Sequence, residues 1–295
     1  MIMKYIFVII GIVLFGCSGG NQKVYDTPTS GTIKIAVDES LKPLIDAEIK
    51  AFEGIYRQSS ISAVYVSEAE AVRLLINDSV RLAIITRPLT ATEVRQIKLQ
   101  KISPQHSNVA REGVALIVNP GNPDTLWDMA KLKSVLGGYD AGQKIVFDNQ
   151  NSGIARFIRD SILHAEKMPA NSYAVESNEA VVNYIARDTK AVGLIGTSWI
   201  SDHDDSVANR FLQSIRVIAI ENNNEYYQPY QAYIAQRLYP LTRDVVINSR
   251  EARSGLGTGF TSFVAGDKGQ RIVLKAGLVP VTMPVRIVEI SRESF

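Results

Sequence analysis

From Thr32 onward, short apolar runs alternate with stretches whose apolar residues recur every three or four positions. The runs at 32–37, 61–66, 81–86, 113–118, 145–147 and 192–195 read as strands. After the first of them, Ile45, Ile49, Phe52 and either Ile55 or Tyr56 fall on one side of a helix. Ser67-Glu68-Ala69-Glu70 has capping-box spacing ahead of Val72, Leu75 and Ile76. Further helices are expected from Gly153 and over 179–187. Strand–helix–strand order of this kind predicts an α/β protein with largely parallel sheets. Asn119-Pro120-Gly121-Asn122-Pro123 and Glu221-Asn222-Asn223-Asn224 are the strongest internal breaks. They bracket a middle block, so the expected architecture is two lobes joined by two crossings, with a ligand held between them.

The first residues follow a different pattern. Lys4 precedes an apolar run from Tyr5 to Phe15, too short for a comfortable membrane span and typical of a secretory leader. Leu14-Phe15-Gly16-Cys17 resembles a bacterial lipobox, with Phe15 bulkier than usual at its position. That resemblance implies cleavage before Cys17, the single cysteine of the chain, and a lipid anchor on its new amino terminus. The bland alternative is an ordinary leader or an uncleaved anchor with Cys17 incidental. The polar residues to Gly31 read as a tether. The expected division is therefore a leader at 1–16, a lipidated tether at 17–31, one lobe from 32–115 with 230–295, and the other from 116–229.

Charge adds mostly exclusions. The 295 residues carry 32 basic and 30 acidic side chains, scattered, so no nucleic-acid surface is expected. Three histidines and one cysteine argue against a zinc site or a disulfide framework, and Asp202-His203-Asp204-Asp205 reads as a solvated loop. No cofactor is implied. Gly255-Leu256-Gly257-Thr258-Gly259 follows no convincing strand and lacks the lysine of a phosphate loop. No histidine stands beside a plausible nucleophile, so no enzymatic role is expected.

The chemistry sits at strand-to-helix junctions. They carry Asp38-Glu39-Ser40, Ser67-Glu68, Thr86-Arg87, and the loop Asp148-Asn149-Gln150-Asn151-Ser152-Gly153. Each hydroxyl taken singly is a plain helix cap. Converging from two lobes, the four loops form an anion site of hydroxyls, amides and one guanidinium. Tyr226, Tyr227, Tyr230 and Tyr233 cluster near the return crossing, suited to hinge packing or to a partner patch.

Four stretches in register resemble the solute-binding proteins of bacterial phosphate ABC transporters, within the type II periplasmic binding protein superfamily. They are VAREGVALIVNP from Val109, AVGLIG from Ala191, YPLTR from Tyr239 and GQRIVLKAGLVP from Gly269. The resemblance implies two α/β lobes closing on inorganic phosphate, and a membrane-tethered protein that passes the ion to a permease. It places Ser40, Ser67, Thr86, Ser152 and Gly153 at ligand-gripping positions, with Asn151 beside them. Three positions depart from the family pattern: Arg87 stands near an expected aspartate, Asp148 where an arginine belongs, and Ile154 where a threonine belongs. If the two charges have traded lobes, Arg87 and Asp148 meet across the closed cleft. Asp148, with Asp38 in reserve, then accepts the proton of monohydrogen phosphate and repels sulfate. Alternatively, Asp148 only caps the next helix and pairs with Arg87. The altered positions also keep open an envelope sensor or adaptor with a changed or lost anion site, and a site for another oxyanion such as sulfate or molybdate.

Overall fold

The computed structural model describes residues 26–139 and 142–282. The leader and Cys17 lie outside them.

The first lobe opens with β1 (Ser30–Asp38), α1 (Lys42–Ile55) and β2 (Gln58–Val66). Pro43 in the first turn starts α1, and Leu44, Ile45 and Phe52 turn inward, while Ile55 stays exposed. There follow α2 (Glu68–Ile76), β3 (Leu82–Ile85) and α3 (Ala91–Lys98). Ser67 caps α2, but Glu70 turns to Arg73 instead of closing the box. The reciprocal capping box belongs to Thr90 and Glu93, at the start of α3.

The chain then enters β4 (Gln105–Val118), much longer than its apolar run at 113–118 suggests. The second lobe contains β5 (Leu126–Trp127), α4 (Met129–Leu136), β6 (Lys144–Phe147) and α5 (Gly153–Phe157), which continues as a π-type turn to Leu163. It goes on through β7 (Ser172–Ala174), α6 (Asn178–Ile185), β8 (Ala191–Gly196), α7 (Ser206–Ser214), β9 (Arg216–Val217), β10 (Ala219–Asn222), β11 (Glu225–Tyr227) and α8 (Gln231–Ala235). Asp205 caps α7, and Asp202 and Asp204 face Lys275. The return is made by β12 (Thr242–Ser249), followed by α9 (Leu256–Ala265), α10 (Asp267–Lys275) and β13 (Val279–Pro280).

The main sheet runs β2-β1-β3-β12-β4-β8-β6-β7. Its wings are parallel, as the alternation predicts, but β3/β12, β12/β4 and β4/β8 pair antiparallel. The sheet is mixed because one long strand leaves the first lobe and another comes back beside it. A bulge between Val245 and Val246 shifts the β12/β4 register. The buried Gln270 side chain donates to the Val109 and Val264 carbonyls, both at 2.9 Å.

The apolar side chains divide accordingly. Ile35, Phe52, Ile84, Val245 and Phe260 belong to one core, with Phe52 edge-on to Phe260 at 5.5 Å. Trp127, Phe147, Ile234, Tyr239 and Leu241 belong to another. Membership changes between Ala110 and Val114 and between Leu241 and Val245. Between them lies α8, whose Ile234 joins the core of the middle block while its Gln231 side chain donates to the Leu274 and Leu278 carbonyls of the returning segment. Tyr227 and Tyr233 meet edge-on at 5.0 Å in that block, and Tyr230 and Tyr226 stay exposed.

The polar segment expected to run loose as far as Gly31 is part of the body from Asp26. Asp26 Oδ2 accepts from the Leu256 amide at the start of α9 at 2.7 Å, and Arg81 and Arg253 pair with Oδ1. The Pro28 carbonyl lies 1.8 Å from where a Cβ of Gly259 would sit, so only glycine admits this approach. Glu251 takes the next two amides, Gly257 and Thr258. The glycine-rich helix start is thus occupied by the chain's own carboxylates. Burial pushes Asp26 up, but the Leu256 amide, Arg81 and Arg253 outweigh it and hold the carboxyl down at about 2.

A carboxyl with a depressed folded pKa stabilises above the unfolded value of about 3.9 and loses that contribution as pH falls toward 2. We expect Asp26→Asn to lower the unfolding free energy by about 1–2 kcal/mol at pH 7. Urea titrations should show the gap to the wild-type chain shrinking as the pH approaches 2.

Candidate anion site between the lobes

β1 ends in Asp38, whose carboxylate meets groups from both lobes. Oδ1 accepts from the Ser40 amide at 3.0 Å and the Ser40 hydroxyl at 2.6 Å. Oδ2 accepts from the Gly153 amide, at the first turn of α5 in the other lobe, at 2.8 Å. A Cβ on Gly153 would lie 2.6 Å from Asp38 Oδ2 and from Thr86 Oγ1, and 2.8 Å from Glu68 Oε2. Glycine is needed here because the loop enters the opposite lobe's polar cluster.

The second bridge is Glu68, the first residue of α2. Its Oε2 accepts from the Thr86 amide at 3.2 Å and hydroxyl at 2.6 Å, and its Oε1 from Arg87 Nε at 3.0 Å. Arg156 reaches over from α5, with Nε 2.5 Å from Glu68 Oε1 and Nη2 3.0 Å from Thr86 Oγ1. Burial pushes Glu68 up, but Arg156, Thr86 and Arg87 prevail and hold its carboxyl below the ordinary range.

The third group is anchored on the crossing strands. Arg243 of β12 pairs with Glu112 of β4 at 2.6 Å, both nearly sealed from solvent, and donates to Ser40 Oγ at 2.7 Å. Burial pushes the Glu112 carboxyl up against the pull of Arg243. Glu39 crosses to the second lobe, accepting from the Asn178 amide at the start of α6 at 3.0 Å. Ser40 holds the lobes through its backbone too, its carbonyl accepting from Ser198 Oγ and Trp199 Nε1, both at 3.1 Å.

Asp148 is buried at the end of β6, and among the described residues its Oδ1 has no hydrogen-bond partner. Burial and the neighbouring Asp38 push it up to about 7, against a hydrogen bond from Ser152. Asp38 is also raised, by burial and by Glu68, against Arg243. The junction gathers five carboxyls (Asp38, Glu39, Glu68, Glu112, Asp148) around three guanidiniums (Arg87, Arg156, Arg243). With acids in excess, retaining a proton on Asp148 relieves the repulsion.

A family model for a PBP superfamily domain matches residues 25–268. The chain belongs to the PBP superfamily. A curated relative, "Phosphate-binding protein PstS" of Borreliella burgdorferi, is 22% identical over 94% of this chain and 97% of its own length. A structure from Clostridium perfringens, described as a phosphate ABC transporter substrate-binding protein with bound phosphate, aligns at TM-score 0.72 and 18% identity. The alignment covers 85% of this chain and all of that one. An ABC-type phosphate transport receptor from Vibrio cholerae aligns at TM-score 0.63 and 19% identity, with 85% and 100% covered. At these identities the structural likeness is one of fold.

Ser40, Thr86, Ser152, Gly153 and Asp148 lie at one junction. Ser67 stays at the margin as the cap of α2. Asn151 has an exposed side chain, but its carbonyl accepts from the Ala69 amide across the cleft at 3.2 Å. Arg87 and Asp148 do not pair. The Arg87 fork is taken by Glu93, at 2.7 and 2.8 Å, and its Nε by Glu68, while Asp148 faces Asp38, Glu39 and Arg243. The guanidiniums nearest Ser40 and Thr86 are instead Arg243 and Arg156. Sequence reading passed over both. Arg156 follows Ser152 by one helical turn, and that spacing was an available signal. Arg243 ends the YPLTR stretch, but nothing local aims it at Ser40.

Two measurements follow. A carboxyl whose folded pKa is raised binds a proton that the unfolded chain releases near 3.9, so Asp148 makes stability fall as pH rises from about 4 to 7. Asp148→Asn should flatten that slope and leave the chain more stable than wild type above pH 7, by a few kcal/mol at most. Arg243→Met strands the buried Glu112 and should cost about 3–5 kcal/mol, much of it regained when Glu112→Leu is added. Urea unfolding of the single and double variants reads both effects.

Proposed function

We propose that this chain is a solute-binding protein that captures inorganic phosphate between its lobes for an ABC-type permease, without catalysis. On this reading the lobes are the body to about residue 113 with the segment from 242, and the middle block between them. Cys17 carries a lipid anchor that holds the protein on the periplasmic side of the envelope. One observation carries the reading: the Ser40 and Thr86 hydroxyls, the Gly153 amide, Arg156 and Arg243 converge at the lobe junction from elements far apart in sequence. Such donors suit a small oxyanion, with arginine providing a fixed planar fork. The phosphate for which the relatives are named supports the choice of ion.

A second reading, an envelope sensor or adaptor with an altered anion site, draws on a different observation. Three of the chain's own carboxylates, Asp38, Glu68 and Glu112, already hold these donors. Calorimetric titration with phosphate and then sulfate separates the two. The transport reading expects phosphate binding at micromolar Kd or tighter, about −8 kcal/mol, with sulfate excluded and Arg156→Ala weakening phosphate at least about tenfold. A folded chain that binds neither ion overturns it in favour of the adaptor.

A further inference from the structure

We propose that Asp38 is a built-in occupant of the anion seat, so that the lobes close on the chain's own carboxylate and an incoming anion must first displace it. The proposal rests on the phosphate reading for the identity of the seat, and on contacts alone for the closure.

Three donors that would hold an oxyanion end on the two oxygens of Asp38, at 3.0, 2.6 and 2.8 Å. These are the lengths of well-formed hydrogen bonds. The Gly153 amide is the donor that a second lobe brings to such a seat, and it is given to a residue of the first. Glu68 repeats the arrangement beside it, holding Thr86 of its own lobe and Arg156 of the other. Every bond in this bridge is intramolecular, so apposition of the lobes requires no ion. No tetrahedral anion can reach the Gly153 amide while Asp38 Oδ2 stands 2.8 Å from it. Displacement leaves the Asp38 carboxyl close to the incoming charge, in a pocket where Arg243 is already paired with Glu112. Asp38 therefore lowers the fraction of molecules competent to bind, and the apparent affinity falls by that fraction.

The test uses the full chain in detergent with Cys17→Ser, so that cysteines placed at exposed Lys98 and Lys167 are the only thiols available for a distance probe. In phosphate-free buffer this background should give a short inter-lobe distance that inorganic phosphate barely changes. Asp38→Ala should give a longer, broader distance that shortens on phosphate addition, with phosphate bound about tenfold tighter than by the background chain. Gly153→Ala, whose added Cβ collides only when the lobes meet, should also lengthen the distance. It serves as the opened form if Asp38→Ala fails to fold. A background chain already open without phosphate, an Asp38→Ala or Gly153→Ala chain that stays short, or weaker phosphate binding by Asp38→Ala would each overturn the proposal. If no form binds phosphate, the transport reading falls while the distances still decide the closure.

Discussion

The constraint on which this molecule turns is the burial of carboxylates where two lobes meet. A carboxylate removed from water must be matched by donors or keep its proton. Asp38 and Glu68 find donors on both lobes, so the groups that make them tolerable are also the groups that fasten the halves together. Asp148 finds too few, and burial beside Asp38 raises it instead. Arg243 and Glu112 meet the same requirement on the strands that connect the lobes. Polar matching at the junction and apposition of the lobes are one problem with one solution.

The same solution recurs at the far end of the first lobe. The amides of Leu256, Gly257 and Thr258 at the start of α9 are taken by Asp26 and Glu251, with Arg81 and Arg253 alongside. Helix starts of this kind attract anions through their free amides and aligned dipoles. In this chain such starts are satisfied internally, α9 by Asp26 and Glu251, and α5 and α6 by Asp38 and Glu39 of the opposite lobe.

Much of this architecture was legible because its signals are local. Apolar runs mark β1, β2, β3, β6 and β8 to within a few residues, and the hydroxyls at their ends mark the loops that converge. The first half of β4 was missed because Gln105, His106 and Asn108 are exposed and carry no apolar signal. Its strand character comes from pairing with β12, more than a hundred residues away. The fate of Arg87 was hidden for a different reason: Glu93, a capping residue six positions later, also claims the guanidinium. Arg243 acquires its partners only when distant segments meet, which no spacing rule reports.

The bulge in the β12/β4 ladder has a mechanical meaning. Where the register slips, Val109 loses its place opposite β12, and its carbonyl turns to the Gln270 amide on α10. The same side chain grips the Val264 carbonyl in α9. One glutamine thereby rivets a pair of helices to the beam that spans both halves of the protein. Bending of that beam at the slipped register is thereby tied to the packing of the two helices, α9 and α10.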